Sequence, residues 1–240
     1  MKAMIFAAGL GTRLKPWTDK HPKALALVNG KSLLQRNIEY LQQYGIKDVI
    51  VNVHHFADQI ISAVEANNGW GSSITISDET DAVLETGGGL KKAAWYFSNE
   101  EASFVVLNAD ILTDMDIDAM LKQHNKTNGL ATLATSSRST SRYFLFNEQQ
   151  QLCGWENVQT GERKITRNDT TLCQLAFSGI HIMHPRLLSM IQQTGKFSMV
   201  EVYLSLAEKN AIYSFNHSGS KFIDVGKPES IIKAEAIFPC

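Results

Sequence analysis

The chain has 240 residues, 44% of them hydrophobic and 20% charged, with a formal net charge of -1. That length and composition suit one large globular α/β domain or two small ones, with a core that needs no staples. The scattered charges leave no basic footprint for nucleic acid, and no stretch approaches the roughly 20 apolar residues of a membrane span. Cys153, Cys173 and Cys240 share no metal-ligand spacing and read as reduced thiols in the cytoplasm.

Ala3–Ala8 is apolar throughout and predicts a strand buried on both faces. The run stops at Gly9 and is followed by Gly11 and Arg13, which is too short for a secretory signal. Ser32 is placed to cap a helix whose apolar positions Leu33, Leu34, Ile38 and Leu41 recur at helical spacing, and Gly45 is placed to end it. Strands at Asp48–Val53, Ile74–Ser77 and Phe104–Asn108 alternate with helical patterns at Asp58–Ala66 and Gly89–Phe97. This alternation implies βαβ units and a mainly parallel sheet. The second half changes character. Tyr143–Phe146, Leu152–Trp155 and Arg163–Ile165 predict short antiparallel strands, and Leu172–Met183 a long one. Helices are expected over Arg186–Gln193 and after Pro228, a good first-turn residue. Val200–Leu206 reads equally as core or interface. With no repeat and no linker, the expectation is one continuous domain whose second half forms a lobe over the sheet.

After the first strand comes Ala7-Ala8-Gly9-Leu10-Gly11-Thr12-Arg13-Leu14-Lys15-Pro16. Two glycines let the backbone turn tightly and approach a ligand, their amides can form a nest for phosphate oxygens, and Arg13 adds a forked cationic donor. Lys23, after Pro22, is a second cation. A glycine pair alone is as well explained by a plain turn. The loop has neither the third glycine of a dinucleotide fingerprint nor the Gly-Lys-Ser/Thr of a Walker loop. Asp110 follows the apolar strand Phe104–Leu107 at the edge where α/β sheets bind ligands, and Asp224 follows Phe222-Ile223. Carboxylates are the hard oxygen ligands that Mg²⁺ prefers, although an Asp at a strand end is by itself more often a turn residue.

Gly9-Leu10-Gly11-Thr12-Arg13-Leu14 with Pro16, Thr18, Pro22 and Lys23 resembles the signature loop of the sugar-1-phosphate nucleotidyltransferases. The later segments Glu85-Thr86-Gly87-Gly88-Gly89, Asn108-Ala109-Asp110, Phe177-Ser178-Gly179 and Phe222-Ile223-Asp224-Val225-Gly226 follow in the matching order. Trp17 and Ala24 depart from the usual Leu and Pro; neither carries a reacting group. The resemblance implies a Rossmann-like three-layer α/β/α fold, with a mainly parallel mixed sheet and a small antiparallel sugar-binding lobe. Residues 1–135 would form the nucleotide-binding half and 136–240 the sugar-phosphate half.

It further implies a nucleoside triphosphate and a sugar 1-phosphate as substrates, Mg²⁺ on Asp110 and Asp224, and catalytic roles for Arg13 and Lys23 on the phosphates. The sugar phosphate oxygen would attack the α-phosphorus in line, with no protein nucleophile. Ala8, Gly9, Gly11, Thr12 and Arg13 are expected on the triphosphate, with Thr86, Gly87 and, less strongly marked, Glu79 beside the base. Glu156 and Gly179 match sugar-binding positions. Trp155 reads equally as packing on a sugar or in the lobe, and His54 and His55 read as structural or solvated. The chain has no room for the hexapeptide-repeat domain of bifunctional relatives, and it looks most like N-acetylmuramate 1-phosphate uridylyltransferases. Guanylyl transfer to mannose or heptose 1-phosphate, cytidylyl transfer to phosphocholine and a non-catalytic regulatory subunit are the alternatives. The glycine spacing disfavours a dehydrogenase.

Overall fold

The computed structural model describes residues 1–98 and 100–239, so Cys240 lies outside the described residues. In chain order the first elements are β1 (Lys2–Phe6), β2 (Leu27–Val28), β3 (Lys31–Ser32), α1 (Leu33–Gln43), β4 (Asp48–Val53), α2 (Ala57–Ala66) and β5 (Ser73–Asp78). They are followed by α3 (Glu85–Lys92), β6 (Phe104–Asn108), β7 (Ile111–Thr113), α4 (Ile117–Thr127) and β8 (Ala131–Ser136). The lobe strands are β9 (Arg142–Phe146), β10 (Leu152–Asn157) and β11 (Glu162–Ile165). The chain closes with β12 (Cys173–Met183), α5 (Arg186–Met190), α6 (Met199–Ala207), β13 (Ile212–Asn216), β14 (Phe222–Asp224) and α7 (Pro228–Ile237).

Strand β1 lies at the centre of the sheet, parallel to β4 on one side and β6 on the other, with β5 parallel beyond β4. Its apolar run faces two cores. Ala3 and Ile5 pack with Leu34, Ile38, Ile60 and Met120 from α1, α2 and α4. Met4 and Phe6 pack on the other face with Leu90, Leu187 and Tyr203 from α3, α5 and α6. Alternation across a strand therefore makes the three layers, and each fully buried aliphatic side chain contributes about 2 kcal/mol. A third, smaller cluster joins Leu14, Val28, Leu33, Leu112 and Val225 to Ala234 of α7.

The second half extends the same sheet. Strand β12 runs antiparallel to β6 through Ile180–Met183 and antiparallel to β9 through Cys173–Leu175, while its other edge pairs with β8. Strands β10 and β11 continue antiparallel from β9, and β13 adds to β8 in parallel. The boundary expected at 135/136 cuts through β8, a strand buried along its whole length and unmarked by a local pattern. Two helical readings are corrected. The helix expected at Gly89–Phe97 begins at Glu85 and ends at Lys92, followed by a 3-10 turn, because its glycines are packed tightly enough to sit inside a helix. The helix from Arg186 stops at Met190. Ser32 caps α1 by accepting from the Gln35 N–H, and Gly45 follows it at φ 70. Val200–Leu206 is core, lying within α6 against the second cluster. Among the described residues no helix is long and apolar enough to cross a membrane.

Candidate active site

The loop after β1 and the turn after β6 emerge side by side at the carboxyl edge of the sheet, where Phe6 registers with Asn108 and the Ala109 N–H donates to the Phe6 carbonyl. Gly11 sits at φ 63, and a Cβ there would lie 2.8 Å from Thr18 Cγ2 and 3.0 Å from Lys23 Cβ. Glycine is therefore required twice, by conformation and by contact. The Thr18 hydroxyl donates to the Gly11 carbonyl at 2.9 Å. This packing brings Lys23 under the loop, where its ammonium pairs with Asp110. Buried Asn37 fixes the Asp110 turn by donating to the Ala109 carbonyl at 3.0 Å.

Asp224 reaches the same place from the other end of the chain. Strand β14 pairs with β7, setting Asp224 against Ile111, and the Val225 N–H donates to the Asp110 carbonyl. Burial and the nearby Asp110 carboxylate raise the pKa of Asp224, against the opposing pull of Lys23, Arg13 and Arg138. Its Oδ1 is buried without a hydrogen-bond partner. Asp224 and Arg13 both flank Gly226: a Cβ added there would be 2.8 Å from Asp224 Oδ1 and 3.1 Å from Arg13 Cζ.

Three cavities are lined by residues of this centre. One of about 470 Å³ is lined by Ala8, Gly9, Gly11, Thr12, Asn52 and Thr86. A smaller one of about 180 Å³ shares Phe6, Gly9 and Thr86 with it and adds Lys23, Asn108 and Asp110. The third, about 580 Å³, is lined by Arg13, Asp224, Arg138, Trp155, Phe177 and Val200, among others.

The sequence-predicted residues divide accordingly. Ala8, Gly9, Gly11, Thr12 and Thr86 line the glycine-loop cavity. Arg13, expected on the triphosphate, lines the third cavity together with Asp224. Glu79, expected beside the base, has no exposed surface. Its Oε1 accepts from Asn52 Nδ2 at 2.8 Å, and Asn52 Oδ1 in turn accepts the Ala7 N–H at 2.8 Å. The pair thus braces the loop from behind, and burial raises the Glu79 pKa. Gly87, expected beside the base, packs against the second half of the chain. It is buried within α3, its N–H donates to the Phe197 carbonyl, and a Cβ would meet the Phe197 ring at 2.5 Å. Gly87 and Gly88 seat α3 against Phe197 and Gly195 of the second half, and Gly89 seats it against Glu79 and Asn52.

Glu156 sits beside Trp155 on β10, and successive strand side chains point to opposite faces. Trp155 lines the third cavity, while Glu156 accepts from Gln174 and pairs with Arg163 at 3.6 Å. Gly179 stands at φ 74 in the bulge of β12 against β8, with Asn108 Nδ2 2.8 Å from where its Cβ would be. It shapes the wall beside Asp110. His54 makes a structural contact, 2.6 Å from the Glu79 carbonyl. Asn52, Asn37 and Arg138 escaped sequence reading, since their partners lie on other elements and no local motif marks them.

This edge of the sheet brings together the glycine loop, the cations Arg13 and Lys23 and the carboxylates Asp110 and Asp224. In the family comparison residues 2–238 match Nucleotidyl transferase, and the chain belongs to that family. An N-acetylmuramate alpha-1-phosphate uridylyltransferase of Caulobacter vibrioides is 30% identical over 98% of this chain and 95% of its own length. A mannose-1-phosphate guanyltransferase of Yarrowia lipolytica is 28% identical over 99% of this chain, which spans 64% of that longer relative. The fold matches HddC from Yersinia pseudotuberculosis, crystallised with GMP-PN, at a TM-score of 0.79 and 24% identity over 99% of both chains.

Proposed function

We propose that the protein transfers a nucleotidyl group from a nucleoside triphosphate to a sugar 1-phosphate, releasing pyrophosphate. The observation that carries this reading is the meeting of Asp110, Asp224, Lys23 and Arg13 where the glycine-loop cavity adjoins the Trp155 cavity. In this reading the triphosphate lies over Gly9, Gly11 and Thr12, whose backbone admits phosphate oxygens closely. Lys23 faces the leaving pyrophosphate. Arg13, beside Asp224, stabilises the charge shared between the α-phosphate and the incoming sugar phosphate. Catalysis is then positioning and charge neutralisation, with the acceptor phosphate itself as nucleophile.

The family's divalent metal fits these residues. Asp224 Oδ1 is buried without a partner and lies near a second carboxylate, and two hard oxygen donors with phosphate and water suit Mg²⁺. Asp110 and Asp224 would hold it, and the bound ion would polarise the phosphate and offset its charge. A triphosphate donor and the unpaired thiols Cys153 and Cys173 favour a cytoplasmic setting.

Uridylyl transfer to N-acetylmuramate 1-phosphate leads, on the likeness to the Caulobacter relative that is nearly matched in length. Guanylyl transfer to mannose or heptose 1-phosphate is the alternative, supported by the guanyltransferase relatives. Incubation with Mg²⁺, each of the five nucleoside triphosphates and a panel of sugar 1-phosphates plus phosphocholine, read by mass, tests both. A nucleotide-sugar with matching pyrophosphate supports the reading and names the pair; nucleotide binding without product from any pair refutes it in favour of a regulatory subunit.

A further inference from the structure

A fourth cavity, about 300 Å³, lies across Arg138 from the Trp155 cavity and is lined by Ser136, Ser137, Arg138, His217, Ser218 and Ser220, with Phe222. It is built by the parallel pair formed in the second half of the chain. Strands β8 and β13 run side by side and end together, and Ser136–Arg138 and His217–Ser220 are the residues at and beyond their carboxyl ends. The edge is the one that carries Asp110, because β12 is antiparallel to both β6 and β8. Carboxyl edges of parallel strands are where such sheets take ligands.

Buried polar atoms in proteins are nearly always hydrogen-bonded. Here four are not: Ser136 Oγ, Arg138 Nε and both ring nitrogens of His217. Ser136 is 7% exposed and His217 5%. Such a cluster has unmet capacity for a ligand with several oxygen acceptors. Arg138 supplies its positive charge, with the Asp224 and Asp114 carboxylates nearby. The Arg138 guanidinium lies over the Phe222 ring at 5.1 Å, with one amino group already given to the Phe177 carbonyl at 2.7 Å. Burial disfavours its charged form, and Asp224 is its principal opposing carboxylate. Burial and Arg138 also lower the His217 pKa, against the Asp114 carboxylate, which favours the neutral ring with its one donor and one acceptor.

We propose that this cavity is an anion subsite that receives a second acidic group, a carboxylate or phosphate, carried by the acceptor sugar beyond its 1-phosphate. The proposal rests on the acceptor placement given above. Arg138 belongs to both cavities, so one bound sugar would set its 1-phosphate toward Arg13 and Asp224 and its acidic substituent on Ser136, Arg138 and His217.

The test uses the full chain, Mg²⁺ and the productive nucleoside triphosphate with two matched acceptor pairs. These are N-acetylmuramate 1-phosphate against N-acetylglucosamine 1-phosphate, and glucuronate 1-phosphate against glucose 1-phosphate. The acidic member of at least one pair is expected to be preferred about 100-fold in kcat/KM, mainly through KM, as for a site whose polar groups are left unpaired by the lesser substrate. Ser136→Ala and His217→Gln should each shrink that ratio about tenfold, and Ser136→Ala alone carries the test if the histidine variant fails to fold. Product formation with equal or reversed preference in both pairs overturns the subsite and leaves nucleotidyl transfer standing. Equal turnover together with inorganic phosphate that raises the wild-type Tm, but not that of Ser136→Ala, marks a free-anion site and also overturns it. No product from any pair sinks both readings.

Discussion

The two halves of the sheet end at the same edge but treat polar groups differently. Around the glycine loop, Thr18, Asn37 and Asn52 each hold a backbone group of the site, and Lys23 pairs with Asp110. Around Arg138 and His217, buried polar atoms stand without partners, and Asp224 keeps one orphaned oxygen. The difference is one of degree: among the described residues behind the loop only Glu79 Oε2 is left without a partner, whereas around Arg138 and His217 the unpartnered atoms cluster on one cavity. A satisfied network rigidifies, whereas an unsatisfied one costs stability and leaves binding capacity in reserve.

Removing a group at the junction should have the largest effect. Asp110→Ala is expected to lower kcat about 10³-fold with the fold retained, because charge stabilisation at the reacting phosphate is lost; far-ultraviolet circular dichroism and product assay together check this. Arg13→Ala should cost about 10²-fold on the same reasoning. Near-normal turnover in either would sink the assignment of the centre. Gly87→Ala attacks the seam between the halves. Its methyl would meet the Phe197 ring at 2.5 Å and the Phe197 carbonyl at 2.9 Å, so urea unfolding should show a loss of about 2–3 kcal/mol. An unchanged midpoint would mean that the seam is looser than the packing implies.

The smallest effect sharpens the contrast through pH. The folded-state pKa of Asp224 is raised above its ordinary 3.8. The stability associated with its protonated form is therefore present below about pH 4 and is lost as pH rises through the higher folded value. Asp224→Asn should flatten that decline, giving a higher Tm than wild type at pH 7 and almost no turnover. A variant that is both inactive and less stable at pH 7 would show that the orphaned carboxylate is not a cost to the free protein.

Much of the parallel half was legible because strands such as Asp48–Val53 and Phe104–Asn108 are mostly buried and carry apolar runs, Val49–Val51 and Phe104–Leu107. The glycine loop and both aspartates were legible through their motif and their positions at strand ends. Side-chain direction was not. Glu79 turns inward because Asn52, 27 residues earlier, is its partner, and Glu156 turns away because strand parity gives the cavity to Trp155. Strand β8 escaped for another reason: its Thr and Ser residues are buried by β12 and β13, partners that lie far along the chain. Arg138, Ser136 and His217 come together only through that pairing.

Strand β12 has a mechanical consequence. Its first residues hold the lobe through β9 and its last hold the central sheet through β6, so one continuous backbone is stitched into both. Parting the lobe from the sheet would mean bending or tearing a hydrogen-bond ladder, so lobe and sheet are coupled through one strand. Rotamer changes in residues such as Trp155, Arg142 and Val200 at the walls of the acceptor cavity run on the clock of side chains, faster than that of domains.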